Sequence, residues 1–322
     1  MTLSSMASGP RTSRVIAGIT RCLAASSLVL IASCGGGTTQ SDPFVALRYF
    51  AFGDDISALT ATGKKYSVNG VDSAGALDCT LQANWTQQMA GLYGFVFAEC
   101  NPAASTEIKA KMYATVGAKV ADVAAQVDAQ VAAGGFRDKD LATVLAGSND
   151  ILALYASYPT TAEAALMTEA RARGERLAQI VNRIIDLGGK VVVSNMPDMG
   201  LSPFALLEKA AKTDTDRAAL LSRLSIAFNE QLGVKVLLDG RFVGLVQMDQ
   251  RLQLISRNKA SFGLSNVTEG VCAVALPDCT TATLVTGADA NVYLWADTTR
   301  LSPFGQGQLA SLALDRARRN PF

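Results

Sequence analysis

The residues equipped for chemistry fall in short polar segments that follow apolar runs. Gly53-Asp54-Asp55-Ile56-Ser57 comes directly after the apolar run 44–52, and Gly147-Ser148-Asn149-Asp150 comes after 141–146. A buried strand that ends in a tight polar loop is a common place for such groups, because the strand fixes the backbone and the loop presents the side chain. What is missing narrows the chemistry further: none of the 322 residues is histidine. Hydrolysis by a serine that relies on a histidine base is therefore excluded. With no histidine and no Cys-x-x-Cys pair, no metal site is expected, and no cofactor is implied.

Six cysteines remain to be placed. Arg11, Arg14 and Arg21 precede an apolar stretch at 23–32, which is too short to span a bilayer as a stable helix and has the form of an export signal. Leu30-Ile31-Ala32-Ser33-Cys34 has the form of a bacterial lipobox, in which small residues precede a cysteine that receives diacylglycerol and becomes the new N-terminus; the alternative is plain secretion with a buried or free Cys34. The expected organisation is a signal peptide at 1–33, with Cys22 inside it, a flexible glycine-rich tether at 34–43 beginning with lipidated Cys34, and a single domain at 44–322. Gly35, where an aspartate would signal retention, favours the outer membrane. The expected location is the cell envelope, lipid-anchored and facing the periplasm or the exterior, with the membrane as one partner. In an oxidising compartment the even set Cys79, Cys100, Cys272 and Cys279 reads as disulfides, most economically 79 to 100 and 272 to 279, although three connectivities are open.

The chain is 49% hydrophobic and 18% charged with a net charge of +1. Such a balance gives a sizeable core and argues against nucleic acid as a partner, since phosphate binding needs clustered Lys and Arg.

The elements that must hold the polar segments alternate in type. Apolar runs at 44–52, 141–146, 190–195 and 242–246 read as strands, and 64–71 as a short exposed one. Helical spacing marks 116–133, 161–187 and 215–238, a helix is expected at 85–93, and Pro303 opens a closing helix to 318. Strands alternating with helices imply a parallel sheet covered on both faces.

Four segments in this order carry a resemblance to a known family. Phe52-Gly53-Asp54-Asp55-Ile56-Ser57 resembles the opening Gly-Asp-Ser-Leu-Ser block of the GDSL, or SGNH, hydrolases. Ala146-Gly147-Ser148-Asn149-Asp150 is similar to the Gly-x-Asn-Asp block, and Asn195-Met196-Pro197-Asp198-Met199-Gly200 to the Asn-x-Pro-x-x-Gly segment. Asp297-Thr298-Thr299-Arg300 resembles the final Asp-x-x-His block. The resemblance implies a flavodoxin-like three-layer α/β/α sandwich with about five parallel strands and a site at their carboxyl ends. It also implies that Asn149 and Gly117 stand at oxyanion-binding positions and Asp297 at that of the triad aspartate. Asp55 then stands where the nucleophilic serine belongs, and Arg300 where the histidine belongs.

Both replacements oppose ester hydrolysis. A carboxylate at 55 puts negative charge beside the place where an oxyanion must develop, and arginine stays protonated and accepts no proton. Arg300 is expected to bridge Asp55 and Asp297. The function this implies is that of a lipid-anchored pseudoenzyme with a ligand-binding or interaction role, toward an unidentified ligand or envelope partner. The alternative is an ester hydrolase of altered mechanism, with Ser57 or Ser148 as a displaced nucleophile. A pair of carboxylates acting on a glycoside is disfavoured, because an arginine between them keeps both ionised. Asn149 and Asp150 also suit capping of a helix beginning near Ile151. Trp85 and Trp295 read as packing residues.

Overall fold

The computed structural model describes residues 43–322; the signal, the lipobox and Cys34 lie outside the described residues. The run that precedes the first polar segment forms β1 (Arg48–Gly53), buried along nearly all its length. Two short strands, β2 (Gly70–Val71) and β3 (Leu77–Asp78), pair antiparallel, so most of the 64–71 stretch is loop. After α1 (Trp85–Leu92) comes β4 (Ala110–Met112), then α2 (Val120–Ala132) and β5 (Asp140–Leu145). The chain continues through α3 (Ser148–Tyr155), α4 (Glu163–Asp186), β6 (Lys190–Ser194), α5 (Pro203–Ala211), α6 (Arg217–Lys235), β7 (Val243–Val246) and α7 (Met248–Arg257). A short parallel pair, β8 (Asn266–Gly270) with β9 (Tyr293–Trp295), precedes the closing helix α8 (Pro303–Arg319).

The main sheet has five parallel strands in the order β4-β1-β5-β6-β7. That is the flavodoxin-like order, and it brings the carboxyl ends of β1, β4 and β5 side by side. Strand alternation sorts the core into two layers. Phe50, Phe52, Ala142, Val144, Val191 and Val193 face α2, α3, α4 and α6. Tyr49, Ala51, Leu141, Leu145 and Val192 face α1, α7 and α8. Every strand of the centre is thus buried on both faces, which explains why each reads as a continuous apolar run rather than an alternating one.

Helix α4 shows how the helical layer closes. Leu166, Ala170, Leu177, Ala178, Val181, Ile184 and Ile185 recur at helical spacing and are buried. Gly174 lets it approach α6: a Cβ there would lie 2.1 Å from the Phe228 carbonyl oxygen. Both disulfides have the economical pairing, Cys79–Cys100 and Cys272–Cys279. They staple the long segments between β1 and β4 and between β8 and β9, which have little regular structure of their own.

Several boundaries differ from expectation. Helix α2 begins at Val120 rather than near 116, because residues 113–119 form the loop that crosses the end of β1. Helix α3 begins at Ser148, three residues before the expected Ile151, with Gly147 as its N-cap.

Candidate functional site

Backbone geometry places the first polar segment. Gly53 has φ +138°, and a Cβ there would lie 2.0 Å from the Leu145 carbonyl oxygen, so only glycine lets β1 end against β5 this closely. Gln126 of α2 locks the turn from the other side: its Oε1 accepts from Gly53 N–H at 2.8 Å and its Nε2 donates to the Gly53 carbonyl at 2.9 Å. Gly147, at φ +131°, does the same work at the end of β5, where a Cβ would strike Phe228 and Met196.

These turns aim Asp55 into a ring of donors. Its Oδ2 accepts from the Gly117 N–H at 3.0 Å and from Asn149 Nδ2 at 2.7 Å. Its Oδ1 accepts from Arg300 Nε at 3.1 Å and Nη2 at 2.8 Å. The remaining arm of the guanidinium, Nη1, donates to Asp297 Oδ2 at 2.9 Å. Asp297 is fixed in turn, because its Oδ1 accepts from the Thr299 and Arg300 N–H groups at 2.8 and 2.7 Å. Arg300 therefore bridges Asp55 and Asp297 as expected from sequence, and its guanidinium carbon lies 5.9 Å from the centre of the Tyr66 ring.

Electrostatics follow from this ring. Asp55 is only 4% exposed, and burial by itself pushes its carboxyl up. The Arg300 charge and the hydrogen bonds from Asn149, Arg300 and Gly117 outweigh that, so Asp55 is held below the ordinary carboxylate range. Burial lowers the Arg300 guanidinium, but Asp55 and Asp297 together raise it above its ordinary value, so it is a fixed cation. Asp54 is the opposite case. Burial, reinforced by the neighbouring charge of Asp55, holds its carboxyl well above the ordinary range. Its Oδ1 accepts from the Ile56 N–H, while Oδ2 has no partner.

The space above the ring is small. The cavity lined by Asp54, Asp55, Ser148, Asn149, Thr299 and Arg300 holds about 10 Å³, room for one water at most. A larger apolar cavity of about 240 Å³ lies beside the Cys79–Cys100 disulfide and shares no lining residue with this site.

Neither candidate for a displaced nucleophile is equipped. Ser57 is fully buried and its Oγ accepts from Trp85 Nε1 at 3.1 Å. Ser148 Oγ is buried without a partner, so no base is in contact with it. The capping expectation splits. Asn149 lies within the first turn of α3 and turns its amide to Asp55 and the Ala118 carbonyl, so it is not the cap of that helix. Asp150 caps a different helix: its Oδ2 accepts from the Val120 N–H at the start of α2. Burial raises the Asp150 carboxyl, with that N–H and Arg173 opposing. The Asn195 segment stands apart, with Asn195 donating to Asp249 at 2.6 Å. Trp85 and Trp295 are fully buried packing residues.

Among the described residues, no group of three or more His, Cys, Asp and Glu is placed to hold a metal ion. Gln126 and Gln306 are site-building residues that the sequence does not announce. Gln306 of α8 donates to the Ile56 carbonyl and accepts from the Trp85 N–H, each at 3.1 Å. A buried glutamine is read as an ordinary polar helix position until the fold shows what it faces.

A family model described as GDSL-like lipase/acylhydrolase matches residues 49–281. The chain belongs to this family. Among solved structures, the GDSL-like chain is similar to the lipase Lip_vut3 from a goat rumen metagenome, with 14% identity and a TM-score of 0.47 over 84% of this chain and 97% of that one. It is similar to a member of the lipolytic G-D-S-L family from Veillonella parvula, with 14% identity and a TM-score of 0.42 over 84% and 97% of the two chains. A variant of Axe2, an acetyl xylan esterase from Geobacillus stearothermophilus, is 15% identical with a TM-score of 0.40 over 85% and 96%. No curated protein matches the chain in sequence.

Proposed function

We propose that this GDSL-like chain is a non-hydrolytic member of its family, anchored in the cell envelope by a lipid on Cys34, whose former reaction centre is closed by its own side chains. The observation that carries this is the position of the Asp55 carboxylate, with Oδ2 between the Gly117 N–H and Asn149 Nδ2. The family resemblance assigns those two donors to the developing oxyanion of an ester substrate. Here they hold a permanent charge. An incoming carbonyl would have to displace a buried, ionised carboxylate that also accepts two bonds from Arg300, and among the described residues neither the Ser57 nor the Ser148 hydroxyl is hydrogen-bonded to a base that could activate it.

The cluster thereby becomes a structural tie. Asp55 follows β1, Asn149 belongs to α3 and Arg300 precedes α8, so one carboxylate joins three segments distant in sequence. The working role of the protein is then binding or interaction at the envelope through other surfaces. A cavity of about 10 Å³ takes no ligand larger than water.

The test is hydrolysis of short- and long-chain p-nitrophenyl esters by the native protein and by the double variant Asp55→Ser, Arg300→His. A silent native protein beside an active double variant is the expected result. Turnover by the native protein would favour the alternative of an esterase with an altered mechanism.

A further inference from the structure

All five main strands are parallel, so the segments that precede them gather at one end of the sheet, opposite the Asp55 site. Of the fifteen large aliphatic side chains exposed among the described residues, six lie there: Val45, Leu47, Ile108, Leu187, Leu237 and Leu238. Val45 is 61% exposed, Leu47 58% and Leu238 64%. Single exposed aliphatics need no explanation, but a set gathered at one end of a fold does.

These segments are tied to one another. Leu47 N–H donates to the Lys139 carbonyl and Tyr49 N–H to the Lys109 carbonyl. Asn182 joins the end of α4 to Lys235 and Leu237, and Asn320 reaches the Gly240 carbonyl. The same end is cationic. Residues 43–48, 107–109, 136–140, 186–190, 235–242 and 315–322 contain ten Lys and Arg against six Asp and Glu, although the whole chain carries only +1.

The chain enters at this end. Pro43 opens the described residues two positions before Val45, and only eight residues lie between it and Cys34. Fully extended, such a segment reaches about 30 Å. A folded unit of this size is roughly 50 Å across, so a tether of that length keeps this end, and not the far one, against whatever holds Cys34.

We propose that the strand-start end of the sheet is a membrane-docking face that rests on an anionic bilayer, with its aliphatic side chains entering the headgroup region and its basic residues attracted to anionic lipid. The inference rests on the anchor reading of Cys34. It orients the molecule, because the Asp55 end and the disulfide-stapled loops then face away from the bilayer.

The test uses the full-length acylated protein in phosphatidylethanolamine–phosphatidylglycerol vesicles with brominated acyl chains. Leu238→Trp is expected to lose emission about twofold to the bromolipid, whereas Val116→Trp, in the loop after β4 at the opposite end, stays unquenched. Equal quenching at the two positions, or quenching at 116 alone, overturns the proposal. Acylation is measured separately, from the mass of the N-terminal peptide. An unmodified Cys34 sinks the anchor reading, and the face is then judged by salt-sensitive co-sedimentation of the full chain with the same vesicles. Loss of that binding in the Leu47→Glu, Leu238→Glu variant supports the face, and absence of binding by the native chain overturns it.

Discussion

Asn149 donates its side-chain amide to Asp55 at 2.7 Å, across the gap between the first turn of α3 and the loop after β1. The same carboxylate oxygen takes the Gly117 N–H, and the other takes Arg300, so a single acidic side chain satisfies donors from two loops and one helix. Burying a charge this deeply is tolerated only because each of its oxygens is paired.

Removing the cation is expected to be costly. Arg300→Met leaves Asp55 buried with hydrogen bonds on Oδ2 alone, and the loss should be about 3 kcal/mol, the low end for an uncompensated buried charge. Adding Asp55→Asn to Arg300→Met should recover most of it, since the neutral amide no longer needs a counterion. Urea denaturation of the single and double variants measures the coupling, and strict additivity of the two changes would contradict the tie.

Asp54 makes stability depend on pH in the opposite sense to Asp55. Its folded pKa is raised, so the folded state binds more protons than the unfolded one, and stability falls as pH climbs from the unfolded value near ~4 toward the folded one. Asp55, held low, contributes stability that is present above its unfolded value and lost as pH falls through its folded value. Asp54→Asn should therefore gain in melting temperature over the native protein progressively as pH rises above the unfolded carboxyl value toward the raised folded one. A gain that is independent of pH would show that Asp54 is not held neutral.

The two disulfides should differ in weight. Loop closure predicts a loss of about 3 kcal/mol for Cys79→Ala with Cys100→Ala, which open a separation of 21 residues, and a smaller loss of about 2.5 kcal/mol for the pair separated by 7. Differential scanning calorimetry of the two double variants checks the order. A reversed order would place the main constraint in the Cys272–Cys279 loop.

The parts of this architecture that were legible in sequence are those written by local chemistry. The buried central strands appear as unbroken apolar runs, and the polar segments that end them appear in family order. The bridging role of Arg300 follows from charge and position. Strand β4 was not legible: it has three residues, and Lys111 within it breaks the apolar run of an edge strand. Helices α5 and α7 were also missed, although Ser202-Pro203 carries a start signal, with the Ser202 hydroxyl accepting from Ala205 N–H. The share of the site built by Gln126 and Gln306 comes from tertiary contacts that no local pattern encodes. Asn149 was assigned to the site by resemblance, and only the geometry shows that its amide meets a carboxylate there.

The central claim is that Asp55 closes the site rather than serving it. Its most direct measurement is p-nitrophenyl ester turnover by the native protein beside the Asp55→Ala variant. The account predicts that neither exceeds the uncatalysed background. Native turnover that Asp55→Ala abolishes would contradict it.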